Sequence, residues 1–353
     1  MISKFALVLR PTRLRMVALA VLGVLIAGAC DNSSDPLASN EPTDSPAVAT
    51  EDSATAVVGA NTPAFATISY TGLPFGPFGL WSSSTTVAWG PSPFTGSQNY
   101  TDPNGIVTQI AAARSKHQRL IFAMTGGSSS RYLTNGKFDI TKWKNRMNLF
   151  KTSTIKNAVA AGVTDGTIVG NSVMDEPETK QWGGVMTKPM LDGMGSYVKS
   201  IFPTLPVGVN HGPTGYYQWR PTERYRVLDF VANQYSWWVT AGNVAAYRDK
   251  VLAQAKLDGV TPAFSLNILN GGVQDRTGTW DCSGTGGKGT RYPNCQMTAT
   301  QVRDWGNVLG VAGCAMHLWR YDDNWLSKSA NVDAVRSVAS TLAAKARRSC
   351  KRA

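Results

Sequence analysis

Three carboxylate side chains lie close together in the segment TIVGNSVMDEPETKQWGG, residues 167–184. Asp175, Glu176 and Glu178 come at the end of an apolar run typical of a buried β-strand. Pro177 should end that strand, because proline has no N–H group for the ladder. The whole chain contains only five glutamates, so two of them this close together stand out. Carboxyl groups crowded at a strand end predict general acid–base chemistry.

The strands that would position these groups can be recognised from periodicity. Short apolar runs alternate with longer amphipathic stretches, which is the pattern of repeated βα units around a parallel sheet. The strand candidates are 78–83, 119–126, 167–176, 206–211, 227–237, 262–269 and 313–321, with 65–70 as an eighth. This pattern predicts one domain over residues 65–353, an α/β fold of the (β/α)8 TIM-barrel type, for which about 250 residues is the usual length. A doubly wound open sheet is the alternative.

Several classes of site have no support in the sequence. No G-x-G-x-x-G or G-x-x-x-x-G-K-[ST] loop follows the first predicted strand, and the glycine-rich segment 284–290 follows Trp280 rather than a strand. Metal-ligand spacing such as Cys-x-x-Cys is missing, as are zinc-finger, recognition-helix and RNA-binding motifs. We therefore expect no cofactor, no metal, no nucleic-acid partner and a monomeric protein.

In a barrel, side chains alternate between the helices and the axis, and chemistry collects at the C-terminal strand ends. Alternation along 167–176 turns Glu176 towards the axis, whereas Asp175 should point the opposite way. Glu178 follows in the loop, where we expect it to be solvated. Further groups are predicted at the mouth of the barrel: Trp81, Thr125, Asn210, Tyr235, Asn267, His317 and Trp319.

This mixture of side chains suits a carbohydrate ligand. Aromatic faces stack on sugar rings, and amides and hydroxyls direct hydroxyl groups. A carboxylic acid beside aromatic rings can have its pKa raised enough to donate a proton near neutral pH. The alternatives are structural, with Trp81 and Trp319 as core residues and His317 as a buried, hydrogen-bonded histidine.

The strand ending VMDEP, the alternating units and the late HLWRYDD segment resemble glycoside hydrolases built on (β/α)8 barrels. The resemblance implies that Glu176 is the general acid. Arg320, in the last predicted strand, is a further candidate for contacting substrate, and an ion pair between Arg320 and Glu176 is the structural alternative. Many retaining families have a second Glu on a late strand, but only Glu223 follows Glu178 here, and it lies between strands.

The second carboxylate of a hydrolase would therefore be an aspartate, because canonical hydrolysis of a glycosidic bond uses two carboxyl groups. Our order of preference is Asp322, then Asp175, then Asp229. The missing late glutamate also supports an alternative function, a surface-anchored protein that binds carbohydrate without catalysis.

The N-terminus predicts export. Four basic residues precede an apolar run over 16–29, and the run is shorter than the ~20 residues that a membrane-spanning helix needs. It ends in IAGAC, which resembles the lipobox of bacterial lipoproteins and predicts a signal peptide over 1–29 and a lipid on Cys30. Simple secretion is the alternative. Residues 30–64 lack Lys and Arg and are rich in Ser, Thr, Pro and Ala, so we expect a disordered tether between the envelope membrane and the domain.

Four cysteines remain in the exported part. Cys282 and Cys295 bracket a glycine-rich loop, so a disulfide there would hold that loop in shape. A bond between Cys314 and Cys350 follows only by elimination. The chain has a net charge of +12, and without the four basic signal residues and six acidic tether residues the domain carries 31 basic against 17 acidic side chains. This excess could attract anionic glycans or lie near anionic lipids.

Overall fold

The computed structural model describes residues 70–79, 92–213, 215–277, 282 and 295–352. The predicted signal peptide, Cys30, the tether and Trp81 lie outside the described residues.

Eight parallel strands form a barrel, which confirms the predicted fold. They are β1 (Phe75–Pro77), β2 (Gly96–Tyr100), β3 (Arg119–Ala123), β4 (Ile168–Asp175), β5 (Val207–His211), β6 (Phe230–Tyr235), β7 (Thr261–Asn267) and β8 (Met316–Trp319). From β2 to β8 each strand pairs with the next one in the chain, and β1 pairs with β8. The Gly79 N–H donates to the Gln98 carbonyl at 2.8 Å, which links β1 to β2 and closes the ring.

The first strands differ from the prediction. The run 78–83 was expected to be the first strand, but β1 ends at Pro77. The second strand, GSQNY, was not predicted at all, because it has no apolar run to mark it. The expected strand at 65–70 lies outside the described residues except for Tyr70, which is not in a strand.

Helices alternate with the strands: α1 (Ile106–Ser115), α2 (Ile140–Asn148), α3 (Ser153–Asp165), α4 (Lys188–Ile201), α5 (Val244–Asp258), α6 (Ala299–Gly310), α7 (Asp323–Leu326) and α8 (Ser329–Ala343). Most begin at a residue whose side chain accepts a hydrogen bond from a free N–H of the first turn, as Asp139, Thr152, Thr187, Asn243, Thr298 and Asp322 do. Between β5 and β6 the described residues form no helix, and turns rich in aromatic residues take its place.

A small apolar plug fills the lower part of the barrel. Phe230, the first residue of β6, packs with residues such as Ile121 and Ala263 inside the ring of strands. A Cβ atom on Gly170 or Gly208 would come within 2.6 or 2.5 Å of the Phe230 ring, so only glycine fits beside it. The plug restricts the functional site to the C-terminal ends of the strands.

The lower end is closed by the C-terminal tail. Cys314 and Cys350 form a disulfide, with 5.3 Å between their Cα atoms, at the edge of the plug. The Arg352 guanidinium donates to the carbonyls of Leu228 and Asp258, which fixes the tail beneath the strands. Cys282 and Cys295 form the predicted second disulfide. Two disulfides indicate an oxidising compartment such as the cell exterior or the periplasm.

Among the described helices, none combines the length and the apolar composition that crossing a membrane requires.

Candidate functional site

A cleft opens at the C-terminal ends of the barrel strands. The cleft is partly open to solvent. Its lining comes from seven of the eight strands or the residue directly after one: Phe78, Gln98, Asp175, Asn210, His211, Ala232, Gln234, Ser265, His317 and Trp319. Of the predicted site residues, the structure therefore brings Asp175, Asn210, His317 and Trp319 together.

Asp175, not Glu176, enters this cleft, so the predicted facing of these two residues is wrong. Ser172 pairs with Gly208 and Asp175 pairs with Asn210, so three steps along β4 match two steps along β5. This irregularity shifts the alternation by one residue and turns the last side chain of β4 inward. Asn210 faces the cleft as predicted.

The Asp175 carboxyl is held in its protonated form. Burial raises its pKa to about 8, and the negative charge of Glu176 adds to the rise. The Asn210 side-chain amide donates to Asp175 Oδ1 at 3.4 Å, and this bond and the charge of Arg320 oppose the shift only in part. The raised pKa favours the protonated form of this carboxyl near neutral pH.

Glu176 lies directly beside this acid. Its backbone has a φ of +44°, a left-handed conformation that non-glycine residues adopt at a cost. Its N–H donates to the Asn210 carbonyl at 2.9 Å. Its carboxyl lies over Gly212, where an added Cβ would be 2.9 Å from Glu176 Oε1. Glu176 and Asp175 therefore both lie at the end of β4, on the side of β5.

Glu178 is buried rather than solvated, which corrects the prediction. The Gly212 N–H donates to Glu178 Oε1 at 2.6 Å, and Glu178 Oε2 is 3.2 Å from His211 Nδ1. The other ring nitrogen of His211 is 3.0 Å from the Tyr225 hydroxyl. Glu178 thus fixes the start of the loop after β5, a role that its position three residues beyond β4 did not indicate.

His317 lies in the cleft with only 1% of its surface exposed. Neither ring nitrogen has a hydrogen-bond partner in the described part of the chain. Burial lowers its pKa to about 3, so the ring is neutral at pH 7. The structural alternative, a histidine satisfied by its neighbours, does not describe this side chain.

An aromatic wall flanks the histidine. The Trp319 ring packs edge-on against Phe78 at 4.4 Å between centroids, and Phe78 packs against Tyr100 at 4.8 Å. Trp319 is partly exposed and lines the cleft. This wall is the feature of the described cleft best suited to stacking on a sugar ring.

Two predicted mouth residues lie away from the cleft. Tyr235 is fully buried between the rings of Tyr247 and Trp305, at 4.8 and 5.0 Å, on the helix side of the barrel. Its predicted role in binding is therefore wrong, and burial raises its pKa to about 12. Thr125 is also buried, where its hydroxyl donates to the Val173 carbonyl.

Asn267 supports the cleft from beside it. Its side-chain amide donates to Gln234 Oε1 at 2.8 Å, and its carbonyl oxygen accepts the Asn270 N–H at 3.2 Å. Gln234 itself lines the cleft, as do Gln98 and Ser265. Ser265 alternates with the predicted mouth residue Asn267 along 262–269, so the same periodicity turns it inward, although it was not among the predicted mouth residues. Gln234 and Tyr235 are neighbours on β6 and therefore face opposite sides of the strand, so choosing the other side would have identified Gln234. Gln98 lies on β2, the strand that was not predicted.

The remaining aspartates have structural partners. Asp322 accepts the Trp325 N–H at 2.7 Å, which caps α7, and lies 3.8 Å from Arg276. It does not line the cleft. Asp229 lies at the opposite end of the barrel, where it accepts the Val207 N–H at 2.8 Å and pairs with Lys199.

Arg320 follows β8 with a φ of +48° and an exposed side chain, so it lies at the rim. Within the described residues, no group of three or more His, Cys, Asp or Glu side chains could hold a metal ion.

Several solved structures of glycoside hydrolases are similar in fold to this chain. Xylanase 10B from Thermotoga maritima has a TM-score of 0.43 and 10% identity over 77% of this chain and 96% of that one. A GH113 β-1,4-mannanase has a TM-score of 0.47 and 11% identity over 78% and 99% of the two chains. A mutant of xylanase A from P. fluorescens subsp. cellulosa in complex with xylopentaose has a TM-score of 0.47 and 11% identity over 77% of this chain and 99% of that one. No protein-family model and no curated protein matches the chain.

Proposed function

We propose that the protein hydrolyses glycosidic bonds of a poly- or oligosaccharide bound in the cleft. The observation that carries this proposal is the Asp175 carboxyl, which projects into the cleft with a pKa raised to about 8. An acid that keeps its proton at neutral pH can give it to the leaving oxygen as the glycosidic bond breaks. The aromatic wall of Phe78 and Trp319 and the amides of Asn210 and Gln234 suit a sugar ring with its hydroxyls.

The two carboxyl groups of the pair are Asp175 and Glu176, with their predicted roles exchanged. The sequence suggested Glu176 as the acid and an aspartate as its partner. The side chain in the cleft is Asp175, and the charge of Glu176 contributes to its raised pKa. Glu176, whose carboxyl lies beside the cleft over Gly212, would remove a proton from the water that attacks the anomeric carbon.

Binding without catalysis is the second candidate. Among the described lining residues, Asp175 is the one carboxyl group, and Asp322 is engaged at the start of α7. A protein that only binds a glycan needs no second carboxylate in the cleft. The same cleft residues would then serve recognition alone.

The release of reducing ends from a panel of xylan, mannan, cellulose, chitin and pectin separates these functions. We expect the wild type to cleave at least one polymer and Asp175→Asn to lose on the order of 10²–10⁴ in rate, the usual contribution of a general acid. Asp322→Asn is the control, because asparagine also caps a helix, and it should stay within a few-fold. Retention of full activity by Asp175→Asn contradicts the assignment, and a glycan bound by both but cleaved by neither supports the binding function.

The domain would act at the cell envelope. The two disulfides support an exported protein. We propose that a lipid on Cys30 and the tether over 30–64 hold the domain over 65–353 near the membrane as a monomer. Incorporation of labelled palmitate into the wild type and not into Cys30→Ser would support this, and equal labelling of both would contradict it.

A further inference from the structure

Polar side chains form one layer across the cleft. His317 and Gln234 are both register partners of Ser265, so the three lie at one level on three adjacent strands. Asn210 and Gln98 line the same cleft from β5 and β2. We call these five residues the polar layer. All but Ser265 are at least nine-tenths buried.

The polar layer has hydrogen-bonding groups that the described protein does not satisfy. Both ring nitrogens of His317 are buried without a partner, and so is Asn210 Oδ1. Leaving a buried polar group unpaired costs free energy, and nearly all such groups in folded proteins have partners. Three unpaired atoms facing one cleft therefore indicate a ligand or water that completes them.

The polar layer is also uncharged. It consists of amides, a hydroxyl and an imidazole, with no Lys or Arg among the described lining residues. The carboxylates of Glu176 and Glu178 follow β4, and the cation Arg320 is exposed at the rim after β8. An anionic ring would meet negative charge here without a buried cation to offset it.

We propose that the polar layer binds the hydroxyl groups of one uncharged sugar residue, with His317 as a specificity-determining residue, and that it discriminates against residues that carry a carboxylate. The proposal rests on the proposed function and specifies its substrate class. It holds although the chain as a whole has a net charge of +12, which alone would favour anionic glycans.

The chemistry of the imidazole fits this role. A neutral ring has one N–H donor and one bare nitrogen acceptor, and a pair of neighbouring hydroxyls can satisfy both. Burial without a charged partner keeps His317 neutral, so it offers this combination across the physiological pH range. Asn210 adds an acceptor, because its amide nitrogen is already engaged with Asp175.

The first test uses oligosaccharides that share a linkage and differ in charge. Binding to the full-length Asp175→Asn protein is measured by calorimetry with β-1,4-linked hexamers of mannose and of mannuronate, and of glucose and of glucuronate. We expect an uncharged hexamer to bind at least about tenfold more tightly than its carboxylated counterpart, which is the effect of about one unfavourable charge contact. A charged hexamer that binds as tightly as its neutral partner would overturn the proposal.

The second test changes His317 in the same protein. His317→Phe keeps a ring of similar size but removes two hydrogen bonds, so affinity for the bound neutral hexamer should fall by about ten- to hundredfold. His317→Gln restores one donor and one acceptor and should recover most of that loss. Unchanged affinity in His317→Phe, in a protein that still unfolds cooperatively, would contradict the role of His317.

The two failures can be told apart. Binding of a charged hexamer with equal strength rejects the uncharged substrate class but leaves a carbohydrate function standing. The other outcome is that the full-length Asp175→Asn protein binds none of the four hexamers, and neither chitohexaose nor hexagalacturonate, at millimolar concentration. That result would count against the proposed function itself.

Discussion

His211 and His317 both line the cleft, and both are buried, but their surroundings differ. Both nitrogens of His211 have partners, Glu178 at 3.2 Å and Tyr225 at 3.0 Å. Neither nitrogen of His317 has one in the described structure. The same side chain therefore contributes to the fold in one place and remains available to a ligand in the other. The two histidines therefore differ in whether their hydrogen bonds are completed within the protein, and not in burial or in position at the cleft.

The surroundings of His211 extend this contrast. Behind β5, Lys188 and Asp258 form an ion pair at 3.0 Å in which both side chains are 0% exposed. The Tyr216 hydroxyl also donates to Asp258, and the Lys188 ammonium lies 5.0 Å from the centre of the Tyr216 ring. This buried network links α4 and α5 to the segment between β5 and β6. It secures that segment where a helix would normally pack.

The largest effect should come from breaking this network. Asp258→Ala leaves the Lys188 ammonium buried without its partner and should lower the free energy of unfolding by about 3–5 kcal/mol. The control is Asp304→Ala, which removes an exposed ion pair with Arg303 and should cost less than about 1 kcal/mol. Chemical denaturation measures both. If Asp258→Ala lowered the free energy of unfolding as little as Asp304→Ala does, the buried network would not stabilise the fold.

The matched histidines give the next largest effect. His211→Phe removes the partner of Glu178 and of Tyr225 and should cost about 2–4 kcal/mol of stability, because buried polar groups are left unpaired. His317→Phe removes atoms that have no partner and should change stability by less than about 1 kcal/mol. The denaturation midpoints of the two variants measure these losses of stability. A larger loss in His317→Phe than in His211→Phe would mean that His317, not His211, is the histidine that stabilises the fold.

The pH dependence of stability tests the cleft acid. The folded pKa of Asp175 is about 8 and its ordinary value is 3.8, so between these values the folded protein keeps a proton that the unfolded chain releases. This group therefore destabilises the fold increasingly as pH rises from about 4 to 8, with no further change above that. Asp175→Asn removes the effect and should be more stable than the wild type at pH 7 by roughly 1–3 kcal/mol. If the difference in unfolding free energy between the wild type and Asp175→Asn were the same at pH 4 and at pH 8, the raised pKa of Asp175 would be contradicted.

Asp322 should show the smallest effect. Asp322→Ala removes the cap of α7 and should cost about 1 kcal/mol. Asp139→Ala removes the corresponding cap of α2 and is the comparison. If Asp322 has only this structural role, both variants should keep glycan cleavage within a few-fold. A loss of several orders of magnitude in Asp322→Ala alone would return this residue to the catalytic pair.

The sequence predicted the fold and about half of the cleft. Alternation assigned Asn210, His317 and Trp319 to the axis because β5 and β8 are regular. It failed at the end of β4, where a register shift exchanged Asp175 and Glu176.

Other errors have equally local causes. Glu178 could not be recognised as buried, because its partners His211 and Gly212 lie on another unit of the barrel. The polar strand β2 lacks the apolar run on which the prediction depended, so Gln98 was missed with it. Register shifts and contacts between distant residues leave no periodic trace in a single sequence.

The titration of the Asp175 carboxyl is the most direct test of the account. In ¹³C NMR spectra of the full-length protein, its signal can be assigned by its loss in Asp175→Asn. The account predicts a midpoint near pH 8, with the acid protonated at pH 7. A midpoint near the ordinary value of 3.8 would mean that the cleft contains a carboxylate and no proton donor, and the proposed hydrolysis through Asp175 would be wrong.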